Sequence, residues 1–264
     1  MFYIVATPIG NLKDISIRAI ETLKSCDYIL CEDTRTSRVL LNNYEIDKPL
    51  VSYHKFNEKE KCDKIYNDLI NGKDICLISD AGMPGISDPG AVIINYLKEK
   101  QYNNYTVIPG ASALINAQVL SGFPAPFVFV GFLPEKTKDR KSILQKVADS
   151  TFTSVFYVSP HEIDKFFKTC LDSLGDREVC VAREITKKFE EVVFTTLKQG
   201  YTSVVKGEFV CVIKGKEQDV AVSDDAIIAE FQILINTHSN KDAVSIICEK
   251  YNLKKNYVYS LCVK

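Results

Sequence analysis

Alternation is the feature that most limits what this chain can fold into. Runs of β-branched, aromatic and aliphatic residues at 2–6, 28–31, 50–53, 75–79 and 105–108 are separated by stretches with helical spacing. Strands that alternate with helices predict a parallel sheet covered by helices. In the third connection Cys62, Ile65, Tyr66 and Leu69 recur at i, i+3, i+4 and i+7, which gives a helix one apolar face, with Gly72 placed to stop it. Asp88-Pro89, ahead of the apolar stretch 91–97, has the cap-then-proline order of a helix start. A second set of runs at 127–132, 154–159, 178–184, 189–195 and 209–213 follows Gly122-Phe123-Pro124-Ala125-Pro126. Within 189–196 the odd and even positions differ little in polarity, so the faces of that strand stay unassigned. The 264 residues exceed a single core. The expected division is an α/β domain over 1–118, a second over 119–216 and, past Gly215-Lys216-Glu217-Gln218-Asp219, a helical piece over 223–264.

The strand ends carry the chemistry. After the fourth run comes "SDAGMPGISDPG", residues 79–90, where three glycines and two prolines interrupt the pattern. Similar breaks follow three other strands, at Thr7-Pro8-Ile9-Gly10, Glu32-Asp33-Thr34-Arg35 and Pro109-Gly110-Ala111-Ser112. Open α/β sheets collect ligands beyond the carboxyl ends of their strands, so four irregular loops on one rim predict a binding site. Neither Gly-x-Gly-x-x-Gly nor Gly-x-x-x-x-Gly-Lys-Ser/Thr occurs, which argues against the usual phosphate cradles. Pro-Gly loops instead offer backbone amides and carbonyls at close range, suited to an adenine edge, a ribose and an amino-acid carboxylate.

Composition excludes several classes. With 46% hydrophobic and 25% charged residues, the chain has core material and no disordered bias. It has no apolar run long enough for a membrane span, and residues 1–5 lack the basic start and long apolar region of a signal peptide. A cytoplasmic protein is expected. The nine cysteines stand singly, without a Cys-x-x-Cys pair, and read as buried thiols. His54, His161 and His238 lack ligand spacing, so no metal is expected.

The segments "VATPIGNLKDIS", "EDTRTSRVLL", "SDAGMPGISDPG", "VIPGASAL", "GFLP" and "REITKKFEE" occur in this order. The set resembles the tetrapyrrole-methylase superfamily, and within it the branch that modifies ribosomal RNA, over residues 1 to about 215. The resemblance implies two α/β domains with an S-adenosylmethionine cleft between them, plus a small C-terminal helical piece, and a homodimer. It implies methylation of a cytidine ribose 2′-hydroxyl in the decoding region of 16S ribosomal RNA, met naked or in the small ribosomal subunit. Cofactor contacts carried over by motif are Pro8, Ile9, Asp80, Ala81, Gly82, Met83, Ser112 and Ala113, with Tyr157 in "VFYVSP" from the second domain. Many superfamily members have Gly-Asp-Pro where this chain has Ser79-Asp80-Ala81, a departure that argues against a porphyrinoid substrate.

Methyl transfer from a sulfonium asks the protein to align the attacking oxygen and to help remove its proton. Asp33 and Arg35 in the first domain, and Glu184 and Lys187 in the second, are the groups nominated for this. Asp33 equally suits a helix N-cap, and Lys187 and Lys188 equally suit solvation. For RNA contacts the chain offers His54 in "SYHKFNEKEK", then Lys136, Lys138 and Arg140 beside "GFLP", then Lys254 and Lys255. Residues 241–264 carry five lysines against Asp242 and Glu249, a net +3, with tyrosines interleaved and a helix-turn-helix pattern. Val244, Ile247, Cys248, Tyr251 and Leu261 also suit the core of a small bundle. Two alternatives stand beside the RNA enzyme: a tetrapyrrole-type small-molecule methyltransferase, and a non-catalytic module that binds cofactor or RNA.

Overall fold

A computed structural model describes residues 1–217, 223–251 and 253–263; Gln218 and Asp219, named above, and residues 252 and 264 of the expected helical piece lie outside the described residues. Strands β1 (Phe2–Val5), β2 (Tyr28–Cys31), β3 (Leu50–Ser52), β4 (Ile75–Leu77) and β5 (Tyr105–Ile108) form one sheet in the order β3-β2-β4-β1-β5. Every pairing in it is parallel. Helices α1 (Ile17–Ser25), α2 (Thr34–Asn43), α3 (Glu58–Ile70), α4 (Ala91–Glu99) and α5 (Ala113–Ser121) follow the strands.

The period of two in the strands explains why helices cover both faces. Phe2, Ile4, Ile75 and Leu77 pack with Cys62, Ile65 and Leu69 of α3 and Ile93 and Leu97 of α4. Their alternates Val5, Cys76 and Ile78 pack with Ala19 and Leu23 of α1 and Leu41 of α2. Gly72 has a φ of +86° just beyond α3, as a C-terminal stop requires. The proposed start at Asp88 is corrected: α4 begins at Ala91 and its cap is Gly90, with φ 147°.

A second sheet is built from β6 (Phe127–Phe132), β7 (Thr153–Val158), β8 (Glu178–Arg183), β9 (Glu191–Thr196) and β10 (Phe209–Ile213), in the order β6-β7-β10-β8-β9. Only β6 and β7 run parallel, across α6 (Thr137–Ala148); the other neighbours are antiparallel. One face packs Leu144 and Val147 of α6 with Phe166, Phe167 and Cys170 of α7 (Ile163–Leu174). The other packs Ala117 of α5 and Ile9 of the β1 loop against Val155, Cys180, Ala182, Val210 and Val212. The expected division at 118/119 therefore falls inside α5, whose inner face belongs to the second sheet. Residues Met1–Lys216 form one compact unit.

The other unit, Glu217–Lys264, contains α8 (Asp224–Leu234), α9 (Asn240–Tyr251) and α10 (Lys255–Cys262). They share a core of Ile227, Phe231, Ala243, Val244, Ile247 and Val258, with Cys248, Tyr251 and Leu261 partly buried against it. Among the described residues no helix is long and apolar enough to cross a membrane.

Candidate functional site

Neighbouring strands β1 and β4 send their chains to opposite faces, β1 toward α1 and β4 toward α4. That makes a topological switch point, the position where open α/β sheets open a crevice. Across it Thr7 and Gly82 exchange backbone hydrogen bonds of 2.9 and 3.1 Å, pinning the β1 loop to the "SDAGMPG" loop. Gly82 has a φ of +80°, and a Cβ there would lie 3.3 Å from Ile9 Cγ2. At Gly110 a Cβ would come within 2.8 Å of Ala6 Cβ. Glycine stands at these two positions because a side chain there would press on Ile9 or Ala6.

Beyond the bridge lies a cavity of about 380 Å³, within the range of small-molecule sites. Its wall includes Ile9, Ala81, Gly82 and Met83 on one side, Ser112, Ala113 and Leu114 at the start of α5, and Tyr157 and Gly207–Val210 from the second sheet. Seven of the nine residues carried over for cofactor contact line it; Pro8 and Asp80 do not. Pro8 is buried, and Asp80 accepts the backbone N–H of Asp33 at 3.2 Å. Tyr157 stands against Phe129 and Phe132 with ring centroids at 5.0 and 5.5 Å. Burial raises its phenol above the ordinary value, opposed by the backbone N–H of Leu114. The largely apolar wall, the open amide ends of α5 and the close glycine backbones fit S-adenosylmethionine: an adenine between apolar surfaces, with backbone groups for its polar edges.

The second-sheet side is made of side chains. Backbone at Glu184 and Thr186 takes positive φ, 52° and 67°, a conformation that costs a non-glycine residue roughly 1–3 kcal/mol and so must be held from outside. The clamp is visible. Glu184 Oε1 accepts from Lys187 Nζ at 2.8 Å and from the Glu208 backbone N–H at 3.0 Å, and Lys187 Nζ lies 3.1 Å from Glu208 Oε2. Burial alone would raise Glu184, but these bonds and the Lys187 and Arg183 charges pull it below the usual carboxylate range. Burial likewise opposes the charge on Lys187, yet both glutamates hold its ammonium protonated. Behind them buried Arg183 donates to Glu191 at 3.0 Å, and Glu191 also accepts from Tyr201 at 2.8 Å and Ser203 at 2.7 Å. The aliphatic part of Lys187 lies on Gly10, where a Cβ would be 2.3 Å from Lys187 Cγ. Glu184 and Lys187 are thus brought together.

Asp33 and Arg35 form their own pair elsewhere on the rim. Asp33 caps α2, accepting the Arg35 backbone N–H at 2.8 Å, and Arg35 grips it through Nε and Nη2 at 3.2 and 2.8 Å. The Arg35 side-chain hydrogen bonds hold the Asp33 carboxyl down at about 2. His54 donates its backbone N–H to Asn57 Oδ1 at 2.9 Å, while its ring Nδ1 is buried without a partner among the described residues. Lys136 and Lys138 are exposed at the start of α6. Arg140 donates to the carbonyls of Pro134 and Glu135 and lines a side pocket of about 360 Å³ that shares Phe132 and Tyr157 with the main cavity. Lys254 and Lys255 are exposed ahead of and within α10.

Three lining features escaped sequence reading. Asp88 lines the cavity rather than capping a helix. Glu208 and Gly207 reach it from before β10, where no motif marks them. Lys13, Lys187 and Lys188 line an open groove with Gly10 and Asn11, of about 810 Å³; Lys13 is 174 residues from Lys187 in sequence, so only the fold brings them together.

Known proteins match this architecture. The family model described as "Tetrapyrrole (Corrin/Porphyrin) Methylases" covers residues 1–200. A protein of Mycoplasmopsis pulmonis named ribosomal RNA small subunit methyltransferase I is 49% identical, over 78% of this chain and 94% of its own length. A protein of the same name from Haemophilus influenzae is 39% identical over 98% of this chain and 95% of its own. Among solved structures, the methyltransferase CobJ superposes with a TM-score of 0.62 at 15% identity, covering 81% of this chain and 93% of that one. Uroporphyrin-III C-methyltransferase of Thermus thermophilus, solved with S-adenosylhomocysteine, gives 0.57 at 18% identity, covering 80% and 96%. By the extent of the family match and the identity of its full-length relatives, the chain belongs to the tetrapyrrole methylase family.

Proposed function

We propose that this protein is an S-adenosylmethionine-dependent methyltransferase of small-subunit ribosomal RNA, acting on the ribose 2′-hydroxyl of a cytidine in the decoding region. The observation that carries the reading is the match to a relative named for that RNA over 98% of this chain, helical unit included, whereas the family model stops at residue 200. The cofactor belongs in the cavity beyond the Thr7–Gly82 bridge. Bound there, S-adenosylmethionine supplies an electrophilic methyl on a positively charged sulfur. The chain's own task is alignment: Ile9, the Gly82 loop and Tyr157 fix the donor side, leaving the mouth near Phe132 for the acceptor. Lys187, kept protonated by two glutamates, suits a ribose or phosphate oxygen rather than a proton. With Lys13 and Lys188 it makes the open groove a path for the RNA backbone. Asp33 and Arg35 act as a fixed pair at the rim.

A homodimer in the cytoplasm completes the reading. Helix α5 is apolar on its outer side as well, with Ile115, Val119 and Leu120 exposed, and Phe194 on β9 is 62% exposed beside Phe123. A patch of this kind suits a second copy.

The test is transfer of labelled methyl to small subunits, naked ribosomal RNA and a no-RNA control, with the product mapped to base or ribose. A 2′-O-methylcytidine is expected; transfer only to a small molecule would replace the reading with the tetrapyrrole alternative. Removing 223–264 is expected to weaken binding of the subunit on the order of tenfold, through lost phosphate contacts, without abolishing transfer. The M. pulmonis relative is nearly used up by a match to 78% of this chain, so the chemistry resides in the larger unit.

A further inference from the structure

The cavity wall contains one carboxylate that no protein group engages. Asp88 lines the wall and is half-buried, and among the described residues its side chain has no hydrogen bond or ion pair. Of the other carboxylates near the site, Glu184 and Glu208 are committed to Lys187, Asp33 to Arg35 and Asp80 to the Asp33 backbone, while Glu32, at the end of β2, is not part of the cavity wall. Lys187 is held charged by its partners. A group that takes up a proton needs a free lone pair facing the reaction space, and Asp88 alone satisfies that among the acids and the lysine considered above.

We propose that Asp88 accepts the proton of the acceptor hydroxyl during methyl transfer, an assignment that rests on the methyltransferase reading. The 2′-oxygen forms its bond to the methyl carbon as the carbon–sulfur bond breaks. The electron pair of that bond stays on sulfur, and the hydroxyl proton passes to an Asp88 carboxylate oxygen. The product is a methyl ether, with neutral thioether and a protonated aspartic acid that releases its proton to solvent.

The surroundings suit the task. Burial pushes the Asp88 carboxyl up to about 6, helped by the charges of Glu32 at the end of β2 and Asp80 after β4. Tyr157 on β7 faces the same space and is raised in part by Asp88. His54 and Lys55 act instead on Glu32, pulling it down against its own burial. A base in this range is ionised at neutral pH yet more basic than a solvated carboxylate. Because the ionised form is required, transfer is present above about pH 6 and is lost as the pH falls through that value.

The test compares wild type, Asp88→Asn and Asp88→Glu in single-turnover methyl transfer to small subunits across pH 5 to 8 (an interval of about three units). S-adenosylmethionine affinity is measured by calorimetry on each, and wild-type aspartate carboxyls are titrated by carbon NMR. Expected are a loss on the order of 100-fold or more for Asp88→Asn, removal of its acidic limb, cofactor affinity within about twofold, and partial activity for Asp88→Glu. One carboxyl resonance should titrate near 6 and vanish in Asp88→Asn. Transfer by Asp88→Asn within about threefold of wild type, cofactor affinity falling in step with rate, or no such resonance would each overturn the assignment. If wild type itself transfers no methyl to ribosomal RNA, the methyltransferase reading fails first, an outcome distinct from loss of Asp88 alone.

Discussion

The two halves of the larger unit meet the same cavity by opposite means. The first sheet presents backbone: the Thr7–Gly82 bridge, the Gly110 contact with Ala6 and the open end of α5. The second presents side chains, Tyr157 and the Glu184–Lys187–Glu208 clamp, carried by a turn with two strained residues. Parallel strands ending at a switch point bring loops together from opposite faces, leaving little room for side chains where Thr7 meets Gly82 and Gly110 meets Ala6. An antiparallel sheet ends in turns whose side chains project freely, so that half can be charged and specific. On the proposed reading, the bridged glycine backbones of the first serve the cofactor, and the charged clamp of the second serves the acceptor.

The largest effect should come from giving the first half side chains. Gly110→Val and Gly82→Val are expected to lower S-adenosylmethionine affinity on the order of 100-fold, because bulk beside Ala6 and Ile9 separates the loops. Calorimetry measures the affinity, and a circular-dichroism melt shows whether the sheet survives; unchanged affinity would break the comparison. In the second half, Lys187→Met should leave cofactor affinity within about twofold and reduce transfer to small subunits by roughly 10- to 100-fold, read as kcat against KM. Glu184 then loses the ammonium that holds it down, so its carboxyl should rise toward the ordinary range. Its contribution to stability, present above the unfolded pKa and lost as pH falls through the depressed folded one, should shrink accordingly. The smallest effect belongs behind the clamp. Tyr201→Phe removes one of three bonds to Glu191 and should cost about 1 kcal/mol in urea unfolding, with cofactor binding unchanged.

The fold was legible because its signals are local. The i, i+3, i+4, i+7 spacing in α3 and the apolar runs of β1, β2, β5, β6 and β10 reappear with little change in bounds. Where reading failed, the cause was a loop conformation or a distant partner. Asp88-Pro89 looks like a helix cap, yet Gly90 at φ 147° takes that place. The strand expected from Phe189 begins at Glu191, since the Thr186 N–H donates to Glu190 Oε2 at 2.6 Å and prolongs the turn. Glu184 and Lys187 were visible as neighbours, but their engagement depends on Glu208, 24 residues from Glu184, and no spacing rule reports that. Which acid is free is decided by the partners the fold brings to each, so Asp88 could not be told from Asp33 by sequence.

The contact of Lys187 with Gly10 has a consequence for how such a chain can change. The methylene stem of one occupies the space that a side chain on the other would need, although 177 positions separate them. Positions 10 and 187 therefore share a single allotment of volume. A larger residue at 10 is admissible only alongside a shorter one at 187, and with that shortening goes the ammonium over Glu184. Charge at the cleft and bareness of the first loop are inherited together or lost together.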